Sequence, residues 1–189
     1  GLVRLSAGAS RETWSFDAVK PDGSRQLLIL KRDPMARQVD KKFEGVPEGR
    51  LAVGRLVEGR LLQLAREAGT PAPVIPFMLN KDGRTTEGFF SHRLEGETLG
   101  RRILREDAYA AARPKLAFAV GHAAARFHGI PLDQLPPMRG LPAAEELLHY
   151  RTIMDSFHQP HAGFEYGFRW LEERLELAGE RYALCHGDY

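Results

Sequence analysis

The hydrophobic pattern of the chain changes near residue 95, and this change limits the folds that are open to it. Before that point, short segments alternate apolar and polar residues with the period of two that is typical of β-strands. Turn-type residues such as Pro21-Asp22-Gly23-Ser24 separate the segments. Five segments are predicted as strands: Leu2–Leu5, Thr13–Val19, Gln26–Lys31, Val74–Leu79 and Glu87–Leu94. Because tight turns join antiparallel neighbours, we expect an antiparallel sheet.

Helical patterns dominate the second half of the chain, and one helix interrupts the strands. That helix is predicted over about Arg50–Gly69, with an apolar stripe at Leu51, Val53, Leu56, Val57, Leu61, Leu64 and Ala65. The later helices are predicted at about Thr98–Arg105, Arg113–Gly129, Pro142–Phe157 and Phe164–Ala178. In the last of these, we expect the inward face to carry Trp170, Leu171, Leu175 and Ala178. We therefore predict an α+β fold whose lobes, residues 1–95 and 96–189, meet at Glu95-Gly96-Glu97-Thr98.

Composition excludes several classes of protein. The net charge of +2, from 27 basic and 25 acidic residues, is too balanced to indicate a nucleic-acid or membrane-surface partner. A single cysteine, Cys185, excludes an internal disulfide framework and fits a reducing compartment. The sequence has no apolar run of membrane-spanning length and no signal-peptide pattern at its start. We expect a cytoplasmic protein.

Two features of the first lobe suit phosphate binding. Small residues between the first two strands, Ala7, Gly8, Ala9 and Ser10, allow backbone N–H groups to approach phosphate oxygens. An ordinary hairpin turn is the competing interpretation, because the loop has one glycine and no GxGxxG pattern. Lys31 ends a buried apolar run, so its ammonium group either reaches solvent at the edge or is held inward for an anion.

Carboxylates supply the remaining candidates. Glu58 lies beside the apolar stripe of the first helix, where it either turns towards a lysine or stays solvated. Near the end of the sequence, the apolar run Ala183-Leu184-Cys185 predicts a short buried strand that delivers His186 and Asp188 to a loop. An aspartate held in this way suits a general base. The alternative is a turn with a solvated aspartate.

The order of these features resembles that of the aminoglycoside phosphotransferase family, which are kinase-like small-molecule phosphotransferases. Residues 5–14 (LSAGASRETW) resemble the phosphate loop of the family, and residues 28–32 (LILKR) resemble its lysine strand. Glu58 with residues 69–73 (GTPAP) resembles its αC helix and the exit from it. Residues 94–99 (LEGETL) resemble its hinge exit, and residues 184–189 (LCHGDY) resemble the start of its catalytic loop. The resemblance covers the whole sequence.

The resemblance implies a protein-kinase-like two-lobe fold and transfer of the ATP γ-phosphate to a hydroxyl of a small molecule. It implies that Lys31 contacts the α- and β-phosphates while Glu58 positions it, and that backbone groups of residues 7–10 cover the phosphates. Backbone groups at the end of the last predicted strand would meet the adenine edge: Ser91, His92, Arg93 and Leu94. Asp188 would orient or accept the hydroxyl proton, and His186 would brace the loop. ATP or GTP with Mg²⁺ is the implied cofactor.

The sequence also departs from the family pattern. The family's asparagine a few residues after the catalytic aspartate, and its later metal-binding aspartate, have no counterpart here. No metal site is therefore expected within this chain, and the metal ligands are expected after Tyr189. We expect an N-terminal portion of a larger enzyme, inactive alone, that self-associates through helix faces lacking their partners.

Two other functions stay open at this point. One is a non-catalytic nucleotide-binding or interaction module, and the other is a protein kinase. His-Gly-Asp instead of His-Arg-Asp and the single-glycine loop argue against a protein kinase. The acceptor stays open because fold does not fix substrate.

Overall fold

The structure, a computed structural model, describes residues 1–5, 12–33, 53–82, 84–138, 140–179 and 181–187. These residues form two compact units. The described part of the first covers residues up to 33, 53–136 and 183–187, and that of the second covers residues 137–182. The first unit continues past residue 95. The boundary between these two units therefore differs from the predicted lobe boundary at residues 95–96, which stays a prediction.

The first unit contains a five-stranded antiparallel sheet. Its strands are β1 (Val3–Leu5), β2 (Glu12–Val19), β3 (Arg25–Arg32), β4 (Phe77–Leu79) and β5 (Gly88–His92). They lie in the order β1-β2-β3-β5-β4. The β2–β3 hairpin closes through Gly23, whose φ of 82° favours glycine, and Asp22 accepts the N–H of Ser24 at 2.8 Å. The predicted α+β class with an antiparallel sheet is confirmed.

The register of the sheet decides which side chains share a face. Lys31 on β3 lies opposite Thr13 on β2 and Phe89 on β5. Ile29 lies opposite Ser91 in the same ladder. Directly opposed residues of antiparallel strands point to the same side, and residues two apart in one strand also share a face. Lys31, Ile29, Phe89 and Ser91 therefore belong to one face of the sheet.

Helix α1 (Arg55–Glu67) packs on this face against β4 and β5. The chain turns away after it at Gly69, whose φ is 81°, and Thr70 donates its N–H to the Ala65 carbonyl at 3.1 Å. The predicted apolar stripe is only partly correct. Leu64 is buried, but the other two fully buried positions of the helix are Arg55 and Gly59. Residues 50–52 of the predicted helix lie outside the described residues.

Gly59 marks the closest approach between α1 and the sheet. A Cβ atom at this position would lie 2.7 Å from Cε of Met78 and 3.3 Å from Cβ of Phe89. Phe89 itself is 0% exposed. Only glycine therefore lets the helix backbone rest at this distance from β4 and β5, and the neighbouring Glu58 is positioned with it.

Two further helices belong to the first unit, α2 (Gly100–Arg105) and α3 (Arg113–His128). The guanidinium of Arg126 on α3 donates to the carbonyl of Gly69, which ties α3 to the end of α1. No residue of α3 is buried, and Phe118 is 76% exposed. The main packing partner of α3 among the described elements is α1, and much of its apolar surface faces solvent.

The second unit consists of α4 (Ala143–Ser156), α5 (Ala162–Glu172) and a 3-10 turn at Leu175–Ala178. Arg151 on α4 donates to Glu165 on α5 at 2.8 Å, and its guanidinium lies 5.3 Å from the ring centre of Phe168. The predicted inward face of the last helix is wrong. Phe168 is the buried residue, whereas Trp170, Leu171 and Ala178 are exposed, because the contact with α4 is made by a different face of α5.

One predicted strand is absent. Residues 183–185 have no regular secondary structure, and Ala183 and Cys185 are exposed. A strand needs a neighbour to satisfy its N–H and C=O groups, and these three residues pair with none among the described strands. The prediction of a buried strand at this point is therefore wrong for the structure.

Across the described ranges, no helix has the length and apolar character needed to cross a membrane.

Candidate functional site

Lys31 and Glu58 form an ion pair on the helix-covered face of the sheet. Nζ of Lys31 lies 3.5 Å from Oε1 of Glu58, with the side chains 42% and 21% exposed. The strand alternation of β3 turns Lys31 towards α1, and Glu58 lies in the first turn of that helix. The ammonium group is held on one side by a carboxylate and reaches solvent on the other. This geometry suits a cation that binds a negatively charged ligand.

Arg55 adds a second cation to this pair. Its side chain is 2% exposed, and its Nε donates to Oδ1 of Asp33 at 3.1 Å. Its Nη1 donates to Oε2 of Glu58. Consecutive ion pairs thus join four side chains of alternating charge: Lys31, Glu58, Arg55 and Asp33. The sequence interpretation missed Arg55, although its position three residues before Glu58 on a helix was an available signal.

A second charged cluster lies at the start of β2, next to residues 6–11. Arg32 donates to Oε2 of Glu12 at 2.9 Å, and Trp14 donates to the same atom at 3.5 Å. Burial raises the pKa of Glu12, but the hydrogen bonds from Arg32 and Trp14, together with the charges of Arg32 and Arg4, outweigh it and leave the pKa below its usual value. The cluster fixes the beginning of β2 to the end of β3, where Lys31 lies.

The segment predicted to meet an adenine edge already uses some of its backbone. The N–H of His92 donates to the Val74 carbonyl at 2.8 Å, and that of Arg93 donates to the Leu27 carbonyl at 3.0 Å. Ser91 is buried on the same sheet face as Lys31, and Leu94 is exposed. Ser91 and Lys31 lie on one face of the sheet, because Ser91 is opposite Ile29 and Ile29 is two residues before Lys31 on β3.

Side chains of this segment make contacts that the sequence did not reveal. The Arg93 guanidinium donates to Oγ of Ser15 at 3.1 Å and lies 3.5 Å from Asp17. The His92 ring contacts the amide of Gln26. These contacts join β2, β3 and the end of β5, and they hold the exit from the sheet in a fixed path.

The remaining predicted site residues lie mostly in parts of the chain that the structure does not describe. His186 is described and exposed, and Gly187 after it has a φ of 82°, a conformation that favours glycine and turns the chain sharply. Outside the described residues lie Ala7, Gly8, Ala9, Ser10, Asp188 and Tyr189. The catalytic roles of Asp188 and His186 therefore stay predictions.

The sequence predicts no metal ligand within this chain. In the part of the chain that the structure describes, no three His, Cys, Asp or Glu side chains lie close enough together to hold a metal ion. That the metal ligands follow Tyr189 stays a prediction, because Tyr189 itself is not among the described residues.

Comparison with known proteins supplies the family. No curated protein and no solved structure gives a significant match to the chain. The model of one protein family, APH, described as the phosphotransferase enzyme family, matches residues 2–189. This match spans nearly all of the sequence. The chain belongs to the APH phosphotransferase family.

Proposed function

We propose that the chain is part of an ATP-dependent phosphotransferase that moves the γ-phosphate to a hydroxyl group of a small molecule. Family membership supports phosphoryl transfer. The single observation that carries the proposal further is the Lys31–Glu58 pair, at 3.5 Å on the sheet face beneath α1. Phosphoryl transfer depends mainly on positioning and on charge stabilisation, and a lysine held by a carboxylate supplies both to the donor phosphates.

In this proposal each site residue has one task. The Lys31 ammonium binds the α- and β-phosphate oxygens, and Glu58 restricts where that ammonium can lie. Backbone N–H groups of residues 7–10 cover the phosphates. Asp188 orients the acceptor hydroxyl and accepts its proton, while His186 braces the turn that Gly187 makes. Mg²⁺, when bound with the nucleotide, would neutralise phosphate charge.

Of the residues predicted to meet the adenine edge, we propose that Leu94 makes the contact through its backbone N–H group. The N–H groups of His92 and Arg93 are already bonded to Val74 and Leu27, whereas the N–H of Leu94 has no hydrogen-bond partner among the described residues. An N–H without a partner at the exit from β5 is the group best suited to donate to a ring nitrogen of a purine.

Two metal ligands of the family pattern are absent from the 189 residues, so we propose that this chain alone binds nucleotide weakly and does not turn it over. The assay therefore uses the full-length protein, with the 189-residue chain beside it. Thermal shift with Mg-ATP, Mg-GTP and a library of hydroxylated small molecules identifies the donor and the acceptor class, because a ligand that binds the native state raises its Tm.

Three variants test the assignment. Lys31→Met and Asp188→Asn should each lower turnover by orders of magnitude. Lys20→Met, at an exposed lysine of the β2–β3 turn, is the matched control and should leave turnover unchanged. Nucleotide binding without turnover in the full-length protein would favour the non-catalytic module instead. Absence of any Tm shift with either nucleotide would refute both forms of the proposal.

A further inference from the structure

Arg55 is buried to a degree that is unusual for arginine. Its side chain is 2% exposed, and arginine is almost never fully buried unless it is paired. Two carboxylates pair with it, those of Asp33 and Glu58. Its Nη2 atom is also buried but has no hydrogen-bond partner among the described residues. An apolar side chain of similar length would fill the same space without leaving a buried donor unsatisfied. Packing alone is therefore a poor explanation for a guanidinium here.

The partners of Arg55 connect two elements of the site. Asp33 directly follows β3, two residues after Lys31, and its N–H donates to the Glu87 carbonyl at 3.3 Å. Thr86 donates its hydroxyl to the carbonyl of Asp33. Asp33 is thus anchored to the strand region before β5. Through it, Arg55 fixes the first turn of α1 to the end of the strand that carries Lys31.

Arg55 and Lys31 divide the carboxylate of Glu58 between them. Oε1 faces Lys31 at 3.5 Å, and Oε2 accepts the hydrogen bond from Arg55. A carboxylate with one oxygen held by a guanidinium has few rotamers left, so its other oxygen points in one direction. The guanidinium also offsets part of the Glu58 charge, which leaves more of the Lys31 charge for a bound anion.

We propose that Arg55 is a positioning residue for phosphoryl transfer: it holds Glu58 so that the Lys31 ammonium meets the donor phosphates. The inference rests on the proposed function. In this role Arg55 need not contact nucleotide or acceptor, because it acts through Glu58. A lysine cannot replace it fully, because a single ammonium group lacks the planar fork that reaches both Asp33 and Glu58.

The first arm of the test does not involve nucleotide. Urea unfolding is measured for Arg55→Met, Glu58→Gln and the double variant. If Arg55 holds Glu58, the double variant should lose less free energy of unfolding than the sum of the losses in the two single variants. Additive changes would overturn the inference, because they would mean that the two side chains do not interact. This arm gives its answer whether or not the protein is a kinase.

The second arm measures nucleotide binding and turnover in the full-length protein. Arg55→Met should lower kcat by about tenfold to a hundredfold, as a misplaced catalytic group does, with a smaller change in KM. Arg55→Lys should recover part of the loss. The matched control is Arg60→Met, which removes the same charge from an exposed position of α1. That variant should behave as wild type.

Non-additivity with Lys31 separates positioning from general damage. In a Lys31→Met background, Arg55→Met should lower turnover no further, because the group that it positions is absent. A second loss of similar size would overturn the inference and indicate a structural role alone. Coupling with Glu58 in unfolding, but no turnover in the wild-type full-length protein, would refute the proposed function while leaving the Arg55–Glu58 arrangement established.

Discussion

The contact at Gly59 leads to a prediction in which the same substitution has opposite effects at two helical glycines. In an exposed helix interior, Gly→Ala stabilises by about 1 kcal/mol because alanine loses less backbone entropy on folding. Gly121 in α3 has this environment, since nothing lies within 4 Å of a Cβ built there. Gly59 does not, because its Cβ would lie 2.7 Å from Cε and 2.8 Å from Sδ of Met78, and 3.3 Å from Cβ of Phe89.

The magnitude follows from the two opposing effects. Overpacking a core with one methyl group costs about 1–3 kcal/mol. The end of the Met78 side chain can move, which lowers that cost, but Cβ of the fully buried Phe89 cannot move without its strand. After the gain of about 1 kcal/mol in helix propensity, Gly59→Ala should destabilise by about 0–2 kcal/mol. Gly121→Ala should stabilise by up to about 1 kcal/mol.

Met78→Ala tests the cause. In that background the close contacts with Cε and Sδ are gone and only the contact with Phe89 remains, so Gly59→Ala should be more favourable than in wild type by up to about 2 kcal/mol. Unfolding in urea, followed by circular dichroism, measures all four members of the cycle and the Gly121→Ala control. Equal stabilisation at both glycines, or no coupling between residues 59 and 78, would refute the packing argument.

Three further predictions concern other parts of the chain. The pKa of Glu12 is depressed in the folded protein, so its contribution to stability is present above the ordinary value of 4.5 and is lost as the pH falls through the folded pKa. The free energy of unfolding, measured in urea, should therefore fall less for Glu12→Gln than for wild type when the pH is lowered from neutral to acidic. An equal fall in both proteins would contradict the contribution of Glu12. The exposed face of α3 should support self-association, which Phe118→Glu should reduce in sedimentation velocity. A wild-type monomer at every concentration would contradict this. Cys185 is exposed, so the native thiol should react with a disulfide reagent almost as fast as the unfolded one, whereas a buried strand would slow the reaction strongly.

Local patterns predicted the sheet well because each of its strands carries its own signals. The strands β2 and β3 lie within one or two residues of their predicted bounds, and Pro21-Asp22-Gly23-Ser24 forms the turn between them. The helices α1 to α4 were also located, since their apolar periodicity and their end signals are local. These signals come from residues that lie within about one helical turn of each other in the sequence.

Features that depend on distant neighbours were not predicted by local patterns. The periodicity of the sequence predicts an apolar stripe on α1. Two further positions of this helix, Arg55 and Gly59, are buried because residues from distant parts of the sequence contact them: Asp33, Met78 and Phe89. For residues 183–185, an apolar run indicated a strand, but a strand exists only where a partner strand supplies hydrogen bonds. The pairing of Lys31 with Glu58 was proposed from the resemblance and not from spacing, because their separation along the sequence carries no geometric information.

The helix that carries Glu58 is tied down at both of its ends. Arg55 joins its beginning to Asp33, and Arg126 joins the carbonyl of Gly69, just after its end, to α3. An outward swing of this helix would have to break a charged hydrogen bond at whichever end moved. A conformational change that works by tilting this helix is therefore disfavoured within the first unit.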